Sequence, residues 1–390
     1  MKAKNLNQIA ASNPYAKMIA AGAHPDEIKE LIVFILNKYI SDTKYLRENA
    51  TFLFSVQGVR IGRLVANPEW LPLLNAVFEV RQRVYREKPT LAVHVSQHFQ
   101  AAIDESSRQY DLVARFEQKT QNMDMDEFAF EMLRNIGTLV ESSLQPMLKE
   151  FSAILQIDQC GSANLDDIDN LSLGAVVKKI ADCLPVPHLL APRPHEIKVS
   201  QWRNIAQHHS YSIAHEKICM KYGGGRQQKE VELTRDELLS VAREIVSRIS
   251  IFLGSRELSM VNYRALFDST GDCKDFPISE SATLIAAAIG TQGFELTSLS
   301  TADGCVHAEI RDLGDHTDKY RPVHCSQFVL VVGQCFLGSE VVIRFRGRAP
   351  GYWIFAIDAT DLDYLFALEN PYSQLINKIK MEFIEDEAGT

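Results

Sequence analysis

The chain has 390 residues, of which 46% are hydrophobic and 23% are charged, and its formal net charge is -9. This length exceeds what one compact core organises, so we expect two or three domains, and the apolar content excludes global disorder. An acidic chain does not attract RNA, DNA or anionic lipid through its overall charge. Contact with nucleic acid therefore has to be made at a local basic site.

The sequence gives no sign of a membrane span or a signal peptide. The longest apolar run in the first half, Leu31 to Leu36, is far shorter than the roughly 20 residues that a spanning helix needs. The N-terminal stretch has no apolar core of the signal-peptide type. The seven cysteines are scattered and form no CxxC pair, which is typical of buried thiols in a reducing compartment. We therefore expect a cytoplasmic protein without membrane contact.

Helical patterns fill the first part of the chain. Acidic residues after Pro25 favour the first turn of a helix, and the strongly apolar stretch 28–39 continues it. From Met125, apolar residues recur at helical spacing, which predicts a long helix that Pro146 can kink. We expect an all-α N-terminal domain over residues 1–120.

The central region continues with helices and one hairpin. A loop is predicted over residues 156–170, a helix over 171–184 and another from about 195 to 209. A short hairpin around a Gly-rich tip follows, and Thr234 with Glu237 has the spacing of a capping box that opens the next helix. These elements predict that the all-α part of the chain continues through this region to about residue 260.

The sequence pattern of the C-terminal third, residues 265–390, is typical of an α+β domain. Runs rich in Val, Ile and Phe predict four strands, at residues 294–299, 306–310, 341–345 and 353–357. Helices are predicted at 281–289 and 362–379, whereas residues 325–337 fit either a strand or a helix. The acidic end, residues 382–387, is predicted to be a solvated tail.

The segment from Trp202 to Tyr211 carries the residues best suited to catalysis. Its apolar positions form one helical stripe, and three polar side chains, Arg203, Asn204 and His208, lie outside that stripe. Asn204 and His208 are neighbours because they are four residues apart, and Arg203 forms an adjoining row with Gln207. The pattern therefore presents a cation, an amide and an imidazole together.

These groups suit the cleavage of a phosphodiester without a metal or another cofactor. Histidine titrates near neutral pH, so it can take the proton of a ribose 2′-hydroxyl or protonate the leaving oxygen. Arginine can clamp the phosphate and stabilise the charge of the transition state. One copy of the chain offers one such histidine, and a symmetric dimer would supply a second.

The motif Arg203-Asn204-x-x-x-His208, followed by His-Ser-Tyr, resembles the Arg-(four to six)-His signature of the HEPN superfamily (higher eukaryotes and prokaryotes nucleotide-binding). The resemblance covers residues 122–260 and implies a bundle of four or five helices. It also implies a metal-independent endoribonuclease of toxin–antitoxin, abortive-infection or other phage-defence systems, whose active site forms where two HEPN domains pair. By the resemblance, Arg203 and His208 would be the catalytic pair and Asn204 the polar helper. His209, which matches no fixed position of the signature, and Tyr211 are secondary candidates. RNA would be the substrate, and an antitoxin or another defence protein a partner.

Two alternatives stay open. The first is a non-catalytic HEPN domain with a regulatory or binding role. The second is a metal-dependent deaminase or hydrolase that uses a polar cluster in the C-terminal region. Its members are Cys305, His307, Glu309, Asp312, Asp315, His316, Asp318, His324 and Cys325. His307-Ala308-Glu309 is similar to the H-x-E of zinc deaminases, but the CxxC partner is absent and the segment alternates like a strand. A polar loop between strands is the favoured interpretation.

Two basic groups are candidates for contact with RNA. Arg344, Arg346 and Arg348 alternate along a strand, so they would share a face on which Tyr352 and Trp353 could stack a base. The alternative is a solvated strand face. The second group surrounds the Gly-rich tip, where it either contacts RNA or keeps the hairpin soluble. It consists of Lys221, Arg226 and Lys229.

Overall fold

The computed structural model describes residues 14–51, 53–106, 123–208, 210–223, 228–267, 278–314, 320–347, 350–368 and 370–385. The chain forms two compact units, a central unit of residues 63–270 and a mixed unit that joins residues 1–62 with 271–390. The predicted fold class is confirmed at its coarse level, because helices fill the N-terminal and central regions and an α+β region follows. The division into units does not coincide with the predicted boundaries after residues 120 and 260. No helix in the described ranges has the length and apolar content that crossing a bilayer requires.

The helices described between residues 14 and 66 are short. They are α1 (Pro14–Ala20), α2 (Pro25–Leu36), α3 (Thr43–Asn49) and α4 (Ser55–Ala66). The predicted start at Pro25 is confirmed, and His24 caps it together with Glu27 in a capping box. Within this unit, the Tyr15 hydroxyl donates a buried hydrogen bond to the Ser55 carbonyl, 2.8 Å away.

The central unit consists mainly of helices. Among them are α5 (Leu71–Glu87), α6 (Pro89–His98), α7 (Met125–Thr138), α8 (Gln145–Cys160), α9 (Leu165–Asp169), α10 (Leu173–Cys183), α11 (Val199–Gln207) and α12 (Arg235–Asn262). The predicted loop over residues 156–170 is wrong, because α8 continues to Cys160 and α9 follows. Asn164 caps α9, and the acidic residues in its first turn interact favourably with the helix dipole.

The long helix predicted from Met125 is confirmed, and a π-helical turn interrupts it. Leu139–Leu144 forms this π turn between α7 and α8, and the N–H of Gln145 donates to the Val140 carbonyl, five residues earlier. The turn lies directly before Pro146, which has no N–H to donate, so the regular α-helical pattern is already broken there. Glu141 is therefore presented from a widened turn.

A charged network lies in the core of the central unit. The Glu150 side chain is fully buried and accepts hydrogen bonds from Arg81 (2.5 Å), Arg256 (3.1 Å) and Ser96 (3.2 Å). Burial alone would raise the pKa of Glu150, but the charges of the two guanidiniums and their hydrogen bonds outweigh it and lower that pKa. The network joins α5, α6, α8 and α12, and so links residues 81 and 96 to the central helices.

A three-stranded antiparallel sheet lies between α11 and α12 along the chain. Its strands are β1 (Tyr211–Ala214), β2 (Lys217–Tyr222) and β3 (Lys229–Leu233), in the order β1-β2-β3. The predicted hairpin is confirmed as β2 and β3, and β1 is an additional strand. Thr234 caps α12 through the predicted capping box with Glu237.

The C-terminal part of the mixed unit is a five-stranded sheet with helices. The strands are β4 (Phe294–Ala302), β5 (Cys305–Asp312), β6 (Glu340–Arg346), β7 (Tyr352–Ile357) and β8 (Lys380–Ile384). Their order is β4-β5-β6-β7-β8, with β5 and β6 parallel and the other pairs antiparallel. All four predicted strands are confirmed. The predicted tail is wrong for residues 382–384, which lie in β8.

Five helices of the described ranges accompany this sheet. They are α13 (Ile278–Gly290), α14 (Arg321–Ser326), α15 (Phe328–Cys335), α16 (Ala359–Phe366) and α17 (Tyr372–Lys378). The ambiguous residues 325–337 are mainly helical, and the single helix predicted over 362–379 is two helices, because Pro371 starts a new one. Val306, Ala308 and Ile310 of β5 point into the core, so the alternate residues of β5 form an open face.

Candidate functional site

Helix α11 places Arg203 and Asn204 in its last turns and His208 directly after its end. The helix forms because its apolar stripe is buried, with Trp202 1% exposed and Ile205 1% exposed. The helix ends at Gln207, earlier than predicted, and the His208 backbone N–H donates to the Asn204 carbonyl, 3.0 Å away. All three motif residues therefore belong to one end of one helix.

A glycine lets this helix pack closely on α7. A methyl group at Gly137 would lie 2.9 Å from the Cβ of Ala206, closer than two such atoms approach in folded proteins. Ala206 has no flexible side chain that could move away, so the contact depends on the absence of a side chain at position 137. The spacing of α7 and α11, and with it the position of the motif, depends on this pair.

The Arg203 guanidinium is held by its neighbours. Its Nη1 donates to the Gln207 side-chain oxygen (2.9 Å) and to the Asn204 side-chain oxygen (3.5 Å), and its Nη2 lies 3.9 Å from a Glu141 oxygen. The Gln207 side-chain N–H in turn donates to the other Glu141 oxygen. Arg203 and Asn204 are thus brought together. Glu141 is a site residue that the sequence analysis missed, since no spacing connects it with the motif.

The His208 side chain is exposed, and its imidazole makes no hydrogen bond or ion pair with the residues described. An imidazole in this state can accept or donate a proton without first leaving a protein partner. Its exposed position at the helix end leaves it accessible from the solvent. His209, one of the two secondary candidates, lies outside the described residues.

Tyr211, the other secondary candidate, begins β1 and is half-buried. Partial burial raises the pKa of its phenol, and the Asp126 carboxylate raises it further. The phenol therefore keeps its proton at neutral pH and can act as a hydrogen-bond donor. Asp126 belongs to the first turn of α7, so this tyrosine lies near the start of the helix against which α11 packs.

The predicted basic group at the hairpin is partly neutralised. Lys221 of β2 forms an ion pair with Glu230 of β3, with 3.0 Å between nitrogen and oxygen. Lys229 is exposed. Arg226 lies outside the described residues. The hairpin therefore carries fewer free cations than its lysines suggest.

Arg344 and Arg346 belong to the mixed unit, on the open face of the five-stranded sheet. Their guanidinium carbons lie 4.7 and 5.8 Å from the centre of the Tyr352 ring, as the sequence predicted for that aromatic residue. Trp353 is on the opposite face, where its ring packs against Phe383 and the core, so its predicted place beside the arginines is wrong. Strand alternation is the reason, because adjacent residues point to opposite faces. Arg348 lies outside the described residues.

The polar cluster of the C-terminal region is dispersed over the sheet. His307 and Glu309 are exposed on the open face, Asp312 is bound by Arg321 (2.6 Å), and His324 packs against the Phe294 ring. Burial raises the pKa of the Cys325 thiol well above its ordinary value. Among the residues that the structure describes, no group of three or more His, Cys, Asp or Glu side chains is arranged to hold a metal ion. Asp315, His316 and Asp318 lie outside that part of the chain.

Comparison with family models, with curated proteins and with solved structures finds no match for this chain in any of the three.

Proposed function

We propose that this protein is a HEPN-type, metal-independent endoribonuclease that acts as a homodimer, in phage defence or as a toxin. The observation that carries the proposal is the end of α11, where an accessible imidazole, His208, follows a guanidinium, Arg203, that is already oriented by neighbouring side chains. The order of α7, α8, α10, α11, sheet and α12 supports it, because it fits the bundle that the motif implies.

The chemistry follows from these groups. Neutral His208 takes the proton of a ribose 2′-hydroxyl as that oxygen bonds to phosphorus, and Arg203 stabilises the charge that develops on the phosphate. The bond from phosphorus to the 5′-oxygen breaks, and this oxygen takes a proton from the protonated His208 of a second copy. The products are a 2′,3′-cyclic phosphate and a 5′-hydroxyl, and the two histidines exchange protons with water before the next turnover.

Cleavage of RNA by the purified full-length protein in the presence of EDTA tests the proposal. We expect the wild type to cut and both Arg203→Ala and His208→Ala to lose cutting, because one variant removes the phosphate clamp and the other the proton carrier. Both residues are at least partly accessible to solvent, so the melting curves of the variants should match the wild type. Cutting that continues unchanged in both variants would show that another site or a contaminating nuclease does the work.

A non-catalytic HEPN module is the alternative outcome. It predicts that no preparation cuts RNA, while the protein still self-associates in analytical ultracentrifugation. A mixture of wild type with excess His208→Ala separates the dimeric mechanism from a monomeric one. If two copies supply the two histidines, the inactive chains should lower the activity of each wild-type chain.

A further inference from the structure

A hydrogen-bonded chain runs from the π turn to the motif arginine. The Glu141 carboxylate accepts from the Gln207 side-chain N–H, and the Gln207 side-chain oxygen accepts from Arg203 Nη1 at 2.9 Å. The second Glu141 oxygen lies 3.9 Å from Arg203 Nη2. Because the glutamine amide donates at one end and accepts at the other, each bond in the chain has a fixed direction.

The orientation of the guanidinium depends on this chain. Arg203 Nε is buried and has no hydrogen-bond partner among the residues described. The hydrogen bond from Arg203 Nη1 to the Asn204 side-chain oxygen has the long distance of 3.5 Å. Without Gln207 and Glu141, a flexible arginine side chain would keep only this weak contact, and it would sample several rotamers.

Glu141 is not where helix stability alone would put a carboxylate. It approaches the last turn of α11, which carries the negative end of the helix dipole, and there an acidic group is unfavourable. It is 47% exposed, so its ion pair with Arg203 is largely screened by water and stabilises the fold little. The arrangement is better explained by what it does to Arg203 than by what it adds to folding.

We infer that Gln207 and Glu141 are positioning residues, which hold the Arg203 guanidinium in the orientation that meets the phosphate in the transition state. This inference rests on the proposed ribonuclease function and deepens it. Neither residue needs to touch RNA. A group held in place before the substrate arrives does not have to be ordered during the reaction, and small displacements of such groups are costly.

The test measures kcat and KM of the full-length protein on one RNA oligonucleotide in EDTA. We expect Glu141→Ala to lower kcat by about 10- to 100-fold with little change in KM, because an interaction expressed only in the transition state affects kcat and kcat/KM equally. Glu141→Gln, whose amide oxygen can still accept from Gln207, should retain more activity than Glu141→Ala. Gln207→Ala should resemble Glu141→Ala.

The matched control is Asp158→Ala. Asp158 lies in α8, on the same helical segment as Glu141, and its carboxylate binds Arg83 of α5 instead of a motif residue. This substitution should leave kcat unchanged. A second arm repeats Glu141→Ala in an Arg203→Lys background, where there is no guanidinium to orient. The loss of kcat caused by Glu141→Ala should then shrink to about 2-fold or less.

The outcomes separate this inference from the proposed function. If Glu141→Ala has a kcat equal to or higher than that of the wild type, and cutting still depends on Arg203 and His208, the positioning role alone is overturned. An equal loss in the wild-type and Arg203→Lys backgrounds also overturns it, since a general structural effect would then explain the data. Failure of the wild type to cut overturns both.

Discussion

Two arginine–glutamate networks of the central unit use the same helical segment, residues 125–160, and differ in their access to water. Glu150 is 0% exposed and is bound by two arginines, whereas Glu141 is 47% exposed and reaches Arg203 directly and through an amide. The same types of charge thus serve different ends. Where water is excluded the pair holds helices together, and where water enters it can orient a group for chemistry.

The energies of the two networks differ for a physical reason. A buried carboxylate keeps its charge only while its partners compensate for the lost solvation, so removing one partner leaves an uncompensated charge in the core. An exposed pair is solvated on both sides, and its loss changes folding little. The comparison predicts that the first network controls stability and the second controls activity.

The largest expected effect is that of Glu150→Ala. It leaves the buried guanidiniums of Arg81 and Arg256 without their carboxylate, so the free energy of unfolding should fall by about 3–5 kcal/mol. Urea unfolding followed by circular dichroism measures this loss. Glu141→Ala is the matched variant on the same segment and should change the free energy of unfolding by about 1 kcal/mol or less. Equal losses in the two variants would contradict the comparison.

A smaller effect is expected from acid. The lowered pKa of Glu150 means that the unfolded chain binds its proton at a higher pH than the folded chain does. The ionised carboxylate therefore contributes stability above its ordinary pKa of 4.5, and this contribution is lost as the pH falls through the lowered value. Unfolding of wild type and Glu150→Gln should be compared from neutral to acidic pH. The difference in the free energy of unfolding between the two proteins should decrease as the pH falls. A difference that stays constant would contradict a lowered pKa for Glu150.

A third effect concerns the contact that positions the motif helix. Gly137→Ala should cost about 1–3 kcal/mol of stability and lower RNA cleavage, because the new methyl group collides with Ala206 and displaces α11. Urea unfolding and the cleavage assay measure the two losses.

Removing the other methyl group provides the control. Ala206→Gly alone should cost about 1 kcal/mol through its helix propensity. The double variant Gly137→Ala/Ala206→Gly should recover cleavage, because one methyl group then occupies the contact again. A double variant as inactive as Gly137→Ala would mean that the contact does not control the site.

Much of the fold is predictable from local signals. The start of α2 at Pro25, the capping box at Thr234 and the four Val- and Ile-rich strands depend on neighbouring residues, and all are confirmed. Two of the missed elements, β1 and β8, are short strands whose formation depends on pairing with a neighbour already in place. The grouping of residues 63–106 with the central helices was also beyond sequence reasoning. It depends on contacts between distant parts of the chain, among them those of Glu150 with Arg81 and Arg256.

The candidate site divides in the same way. Arg203, Asn204 and His208 could be selected because their spacing along one helix is local, and so could the row of Arg203 and Gln207. Glu141 could not, because its approach depends on the π turn and on the packing of α7 against α11. The predicted face of Trp353 is wrong because the sequence analysis assigned two adjacent strand residues, Tyr352 and Trp353, to the same side of the sheet.

The central claim, that the end of α11 cleaves RNA by attack of the 2′-hydroxyl, is tested most directly by the chemistry of the product ends. Mass spectrometry of one oligonucleotide cut in EDTA should show 2′,3′-cyclic phosphate and 5′-hydroxyl ends, and the same oligonucleotide with a 2′-deoxyribose at the cut position should stay intact there. Products with 3′-hydroxyl and 5′-phosphate ends, or cutting at the deoxyribose, would contradict the claim.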